Sequence, residues 1–152
     1  MSTKIVSIKG YANKNEQFVV KTEKFDIRIS KNNQQPELEG PSPIEYVLAG
    51  YAGCINAVGT LVAKELNIDI KSLQVEVTGT MNLDKYQGKP TQERAGFNNI
   101  EVVVKPNADA TTEELTNWLS LVEERCPVYD NLFNTTPIQT SLINELVVEE
   151  AY

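Results

Sequence analysis

One segment, Ser42–Leu66, constrains the fold more than any other part of the chain. It begins with a capping box, since the Ser42 side chain can accept from the backbone N–H of Glu45 while the Glu45 carboxylate accepts from the N–H of Ser42. Pro43 suits the first helical position, where the N–H has no helical partner. No charged residue interrupts Tyr46–Ala63, and its apolar residues cover every side of the helix. Because such helices are typical of protein interiors, we predict a buried central helix.

The same segment also meets the minimum length for a membrane span, which is the alternative interpretation. Many of its uncharged residues are Gly, Ala, Thr, Tyr or Asn, however, and no cluster of Lys or Arg marks one end as cytoplasmic. A central helix is therefore favoured. Small residues surround Cys54 on this helix and predict a close approach of another backbone. They are Gly50, Ala52, Gly53, Ala57 and Gly59.

Length and charge restrict the class of protein. The 152 residues suffice for one domain with a core, so we predict a single domain over residues 1–152. The chain has 14 Lys plus Arg against 21 Asp plus Glu, a net charge of −7. Without a basic cluster it lacks the electrostatic features of a nucleic-acid-binding or membrane-surface protein. The first ten residues contain no apolar signal core, and we expect a cytoplasmic protein.

The titratable side chains narrow the possible chemistry. The chain contains no histidine, which excludes Ser-His and Cys-His catalysis and most zinc sites. Two cysteines, Cys54 and Cys126, are the candidate nucleophiles. Each also has a purely structural interpretation, because cysteine is often a small buried hydrophobe. Arg125 precedes Cys126, and a cation beside a thiol lowers the pKa of that thiol.

Alternation of apolar and polar residues predicts strands on both sides of the central helix. The predicted strands are Lys4–Ile8, Phe18–Lys21, Phe25–Ser30, Leu73–Leu83, Arg94–Lys105 and Ile138–Val148. Turns are predicted at Asn13–Glu16 and Glu23–Lys24, at Asp84–Glu93, which forms a hairpin connection, and at Asn134–Pro137. The polar segment 31–41 is predicted to be a loop, either a connector or a lid.

A second helix begins at the Thr111-Thr112-Glu113-Glu114 capping box and ends near Pro127. Its apolar stripe consists of Leu115, Trp118, Leu119 and Val122, and Cys126 extends it. The predicted order is therefore β-β-β-α-β-β-α-β with hairpin connections. This order is typical of the α+β class, in which helices are segregated from an antiparallel sheet.

Two motifs give the sequence a family resemblance. PSPIEYVLAGYAGC, followed about seventy residues later by EERCPVYDNLFNTTPI, resembles the OsmC/Ohr family of thiol-dependent peroxidases. The resemblance implies an intertwined homodimer, with two antiparallel sheets around paired central helices and active sites at the subunit interface. It also implies reduction of organic hydroperoxides by Cys54, with Cys126 closing a disulfide. A dithiol such as a protein-bound lipoyl group would reopen that disulfide, and no metal, flavin or haem would be required.

Two positions depart from the family pattern. The well-characterised peroxidases carry a glutamate ten residues before the reactive cysteine, where this chain has Ile44; Glu45 lies nine residues before Cys54. At ~100° and ~1.5 Å per residue, Glu45 is on the opposite side of the helix and ~13 Å away along its axis. It is therefore predicted to be first a helix cap, and catalytic only across a dimer interface or a broken helix.

The second departure concerns the arginine that those peroxidases place near the thiol, in a region corresponding to Asn13–Glu16. This chain has Lys14 there. Arg28, Arg94 and Arg125 are the candidate substitutes, and we predict Arg94. The alternative to a peroxidase is a non-catalytic dimeric OsmC-like protein that binds a small apolar or thiol ligand, or that senses oxidants through its cysteines.

Overall fold

The computed structural model describes residues 2–12, 18–30 and 40–144. Antiparallel strands and segregated helices confirm the predicted α+β class. The elements in chain order are β1 (Lys9–Tyr11), β2 (Phe18–Lys21), β3 (Asp26–Ile29), α1 (Pro43–Glu65), β4 (Ile70–Met81), β5 (Phe97–Ala108), α2 (Thr112–Arg125) and α3 (Pro127–Phe133).

Strands β1, β2 and β3 form a small antiparallel sheet in that order. The predictions for β2 and β3 are confirmed, and the turn between them is closed by the backbone N–H of Thr22 donating to the carbonyl of Phe25 at 2.8 Å. The strand predicted at Lys4–Ile8 is wrong, because β2 pairs with Lys9–Tyr11 and no described strand lies beside residues 4–8. The turn predicted at Asn13–Glu16 lies outside the described residues.

Helix α1 begins as predicted. The N–H of Glu45 donates to Ser42 Oγ at 3.2 Å, and the N–H of Ser42 donates to Glu45 Oε1 at 3.1 Å. Pro43 occupies the first turn. Among the described residues, α1 is the one helix that is long and apolar enough to cross a membrane. In the fold it packs against β4, α2 and α3.

Burial of α1 is incomplete within one chain. Only one face is covered, through Tyr51, Ile55, Gly59, Val62 and Ala63. On the other side, a methyl group added at Gly50 or Gly53 would find no atom within 4 Å, and Leu61 is 50% exposed. The single chain thus buries one face of α1, and burial of the remaining apolar surface depends on the predicted homodimer. The physical reason is that the sheet and helices packed on α1 leave its opposite face uncovered.

Strands β4 and β5 form a long two-stranded antiparallel ribbon. Both strands alternate between half-buried apolar and exposed polar residues, as the sequence pattern predicts. Their bounds differ from the prediction by a few residues, since β4 begins at Ile70 and β5 extends to Ala108. The connection contains Gly88 with φ 76°, a conformation that favours glycine.

Helix α2 supplies the centre of the core. Its predicted capping box is present, with the N–H of Glu114 donating to Thr111 Oγ1 at 3.1 Å. Trp118 and Val122 are fully buried, and the Trp118 indole N–H donates to the carbonyl of Gly59 at 2.9 Å. This contact ties α2 to the middle of α1, so the core lies between α1, α2 and the β4–β5 ribbon.

The chain after α2 departs from the prediction in two ways. A short helix, α3, follows at once, because Pro127 ends α2 and also suits the first turn of a new helix capped by Cys126. The strand predicted at Ile138–Val148 is wrong for residues 138–144, which form no strand and are exposed. No described strand pairs with them. Residues 145–148 lie outside the described part of the chain.

Candidate functional site

The two cysteines are brought together from positions 72 residues apart. Cys54 lies on α1, Cys126 lies between α2 and α3, and their sulfur atoms are 2.8 Å apart in hydrogen-bond contact. Both are free thiols. A disulfide needs sulfur atoms ~2.05 Å apart, so a sub-ångström movement would bring them to bonding distance.

Local structure fixes the position of Cys126. The residue ends α2 and caps α3, and the backbone N–H of Tyr129 donates to its sulfur at 3.4 Å. It is only 1% exposed, whereas Cys54 is partly buried at the edge of the covered face of α1. The two thiols therefore differ in access to solvent although they touch each other.

The surroundings of Cys54 raise its pKa. Burial is the largest cause, and the contact with the Cys126 thiol acts in the same direction. The backbone N–H of Val128 opposes the shift, because a hydrogen bond to the sulfur stabilises the thiolate. Among the described residues, no arginine or lysine contributes to this shift. The surroundings of Cys54 within this chain therefore favour the thiol over the thiolate.

An aromatic cluster not predicted from the sequence lies beside the thiols. Tyr51 precedes Cys54 by one helical turn, and its ring meets Tyr129 edge-on with centroids 6.4 Å apart. Tyr129 in turn stacks on Phe133 at 5.4 Å. Burial, followed by nearby negative charge, raises the pKa of Tyr51 to about 12, so its hydroxyl stays protonated. Tyr51 precedes Cys54 by three residues, a helical spacing from which the sequence could have indicated that the two side chains are neighbours.

A cavity of about 550 Å³ lies beside this cluster. Tyr51 and Tyr129 line the cavity, and Tyr51 lies one helical turn before Cys54. The cavity wall is mainly apolar, and among the described residues Arg94 is the one charged residue that lines it. The other lining residues are Ile44, Val47, Gly96, Phe97, Asn98, Asn99, Ile100, Val102, Leu132 and Phe133.

Glu45 does not belong to this cluster in the described chain. Its carboxylate accepts from the Ser42 N–H, and the hydrogen bonds with Ser42 lower the pKa of Glu45. The side chain is fully exposed at the start of α1. Glu45 therefore makes the two capping hydrogen bonds with Ser42, and among the described residues it makes none with Cys54.

The candidate cations are not placed beside Cys54 either. Arg94 lines the cavity, and Arg28 is exposed on β3, where its carbonyl accepts from the Tyr46 hydroxyl at 2.8 Å. Arg125 pairs with Glu65 through two hydrogen bonds of 2.6 and 3.1 Å. That pairing raises the pKa of Arg125 and lowers the pKa of Glu65. Lys14 lies outside the described residues.

Comparisons with known proteins show the family and the fold of the chain. A family model described as OsmC-like protein matches residues 32–141. The chain is 22% identical over 140 residues to a hydroperoxide reductase of Mycoplasma pneumoniae, spanning 92% of this chain and 95% of that relative.

Solved structures share the fold. An OsmC-like protein from Mycoplasma pneumoniae matches with a TM-score of 0.77 at 22% identity, over 88% of this chain and 91% of that one. The organic hydroperoxide resistance protein OhrB of Bacillus subtilis matches with a TM-score of 0.57, also at 22% identity, over 87% and 93%. The α+β architecture described above is therefore the OsmC-like fold.

Proposed function

The chain belongs to the family of OsmC-like proteins, and from this premise we propose that it reduces organic hydroperoxides through Cys54 and Cys126. The observation that carries the proposal is the 2.8 Å separation of two free thiols. The names of the relatives, a hydroperoxide reductase and an organic hydroperoxide resistance protein, support the choice of substrate class.

The proposed reaction has two steps within the protein. The Cys54 thiolate attacks one peroxide oxygen, the O–O bond breaks, and the alkoxide leaves as an alcohol after taking up a proton. Cys54 is then a sulfenic acid. The Cys126 thiol, already in contact, condenses with it to form the disulfide and release water. Cys54 is assigned the first step because it is the more accessible thiol.

An external dithiol, such as a lipoyl group, completes the proposed cycle by reducing the disulfide. No metal, flavin or haem takes part. The remaining candidate residues have lesser roles: Glu45 caps α1, and Arg94 provides the positive charge in the wall of the cavity. The cavity accommodates the apolar part of the hydroperoxide.

We further propose that the working form is a homodimer. Large apolar side chains are left exposed near both ends of the described chain and in the turn between β2 and β3, and exposed apolar surface marks interfaces. They include Ile5, Val6, Ile8, Phe25, Ile138, Leu142 and Ile143, of which Leu142 is 96% exposed. The uncovered face of α1, with Gly50 and Gly53, adds a surface that a second helix can approach closely. Light scattering at micromolar concentration should therefore give about twice 16.9 kDa.

Stopped-flow mixing of reduced protein with cumene hydroperoxide tests the peroxidase proposal. The wild type should lose both thiols and form the Cys54–Cys126 disulfide. Cys54→Ser should lose hydroperoxide consumption, while Cys126→Ser should react once and stop as a sulfenic acid or a higher oxide. Mass spectrometry after one equivalent of peroxide reads these states. Equal, slow oxidation of both thiols without a disulfide would contradict the proposal.

A non-catalytic binding protein is the second candidate, and two observations favour it. The cavity is large and mainly apolar, and the Cys54 pKa is raised by burial. Calorimetric titration with cumyl alcohol, which has the shape of the peroxide but no O–O bond, separates the candidates. Saturable binding together with no peroxide-driven disulfide would favour the binding protein.

A further inference from the structure

The two sulfur atoms of the site differ sharply in access from outside. Cys126 is 1% exposed and joins Trp118 and Val122 among the fully buried side chains. Cys54 is only partly buried, because it lies at the border between the covered and uncovered faces of α1. A disulfide formed between them would therefore offer one accessible sulfur atom and one enclosed atom.

Thiol–disulfide exchange depends on that difference. A thiolate must contact the sulfur that it attacks, so the rate depends on which sulfur is accessible as well as on the leaving thiol. Within one chain, Cys54 is the more exposed of the two residues and Cys126 lies in the core, so an external thiol approaches the disulfide from the Cys54 side. Each sulfur has a backbone N–H that can stabilise its thiolate, that of Val128 for Cys54 and that of Tyr129 for Cys126, so access is the property that distinguishes the two.

We propose that an external dithiol opens the disulfide by attacking the Cys54 sulfur, with the Cys126 sulfur as leaving group. This rests on the proposed function only in that a Cys54–Cys126 disulfide forms. The first dithiol sulfur bonds to Cys54 as the Cys54–Cys126 bond breaks, and Cys126 leaves as a thiolate that then takes up a proton. The second dithiol sulfur attacks the first, which releases Cys54 and leaves the reductant as a cyclic disulfide.

Cys54 is thus the site of both oxidation and reduction, and Cys126 exchanges bonds only within the protein. The mixed disulfide with the reductant is carried by Cys54. Cys126, which stays in the core throughout, needs no exposure at any stage of the cycle.

Locating the mixed disulfide tests the inference. Wild-type protein is oxidised with diamide rather than a hydroperoxide, mixed with glutathione, and quenched in acid at intervals from milliseconds to seconds. Pepsin digestion in acid followed by mass spectrometry then locates the glutathione. We expect at least a tenfold excess on Cys54, with Cys126 as the free thiol. Glutathione on Cys126, or equal amounts on both, would overturn the inference.

Two single-cysteine variants give a second measurement that does not depend on a short-lived species. Cys126→Ser and Cys54→Ser are each loaded with thionitrobenzoate in denaturant, refolded, and checked by circular dichroism. Dithiothreitol should release the chromophore at least a hundredfold faster from Cys54 than from Cys126; similar rates would contradict the inference. Because diamide makes the disulfide, failure here leaves hydroperoxide reduction intact, and a protein inert to hydroperoxide can still pass.

Discussion

Neither face of helix α1 carries a charge between Tyr46 and Ala63, but the two faces have different surroundings. One face packs on its own chain, where Trp118 bonds to Gly59 and fills the space that a side chain at Gly59 would take. The other face, with Gly50 and Gly53, meets nothing within reach of an added methyl group. Cys54 lies at the border between them, in contact with Cys126 on the covered side.

This difference separates what one chain provides from what it leaves to a partner. The covered face supplies the second thiol, the aromatic cluster and the burial that raises the pKa of Cys54. A cation that would lower that pKa is absent from the surroundings of Cys54 in the described chain. If such a group acts on Cys54 at all, it must come from Lys14 or another residue outside the described ranges, or through the open face from a second copy.

The largest effect that tests this comparison is the pH dependence of the reaction with hydroperoxide. Only the thiolate reacts, and its fraction rises tenfold per pH unit below the pKa. Because burial and Cys126 raise the Cys54 pKa above its ordinary 9.0, the rate constant should climb about a thousandfold between about pH 6 and about pH 9, with no plateau. Stopped-flow measurement across this range gives the profile.

The matched control for the pH profile is Cys126→Ser, which removes the second cause of the shift and should move the profile to lower pH. A wild-type plateau near pH 7 would contradict the expectation. It would mean that a cation from beyond the described residues lowers the Cys54 pKa.

The next effect concerns the covered face. Trp118→Ala removes a fully buried indole and its hydrogen bond to Gly59, and should lower the free energy of unfolding by ~3–5 kcal/mol. Chemical denaturation measures the loss. Asn117→Ala, on the exposed side of the same helix, should change stability by less than ~0.5 kcal/mol. Comparable losses for both variants would mean that the core between α1 and α2 is not the main source of stability.

A smaller effect is expected when glycine is replaced by alanine on each of the two faces of α1. The new methyl of Gly59→Ala would lie 2.8 Å from Trp118 Cζ2, so this variant should lose ~1–3 kcal/mol of folding stability. Gly53→Ala meets nothing within the chain and gains helix propensity. If a second copy covers this face, as we propose, Gly53→Ala should instead weaken the dimer, which light scattering across a dilution series detects. A raised melting temperature with unchanged association would show that the face is free.

The sequence correctly predicted the secondary-structure elements that depend on local residue patterns or on contacts within one chain. Both capping boxes, the β4–β5 hairpin and the burial of Trp118 follow from spacing alone, and they are observed. The segments at Lys4–Ile8 and Ile138–Val148 have strand-like patterns, but pairing requires a neighbouring strand, and none of the described strands provides one for residues 4–8 or 138–144. An alternating pattern indicates that a segment has an apolar side, but it does not identify the chain that covers that side.

The site was predictable to a similar degree. Two cysteines at helical positions on predicted core-facing stripes suggested that they could meet, and their sulfur atoms are 2.8 Å apart. The direction of the Cys54 pKa could not be read from the chain, because it depends on burial and on cations whose distance the sequence does not give. The neighbour Arg125, which suggested an activated thiol, pairs with Glu65 instead. Helix α3 was missed because Pro127 was interpreted only as a stop signal.

The smallest expected effect lies at the start of α1, far from both the core and the open face. Ser42→Ala removes the acceptor for the Glu45 N–H and should lower the free energy of unfolding by ~1 kcal/mol, the usual loss of an N-cap.

Glu45→Gln keeps an oxygen that can accept from the Ser42 N–H, so the melting temperature should stay almost unchanged. Since Glu45 is exposed and ~13 Å along the helix from Cys54, the hydroperoxide rate should also be preserved. A Glu45→Gln variant with unchanged melting temperature but no peroxide reaction would show that the carboxylate is catalytic. Because Cys54 lies at the edge of the open face, that carboxylate would then have to act on the Cys54 of a second copy.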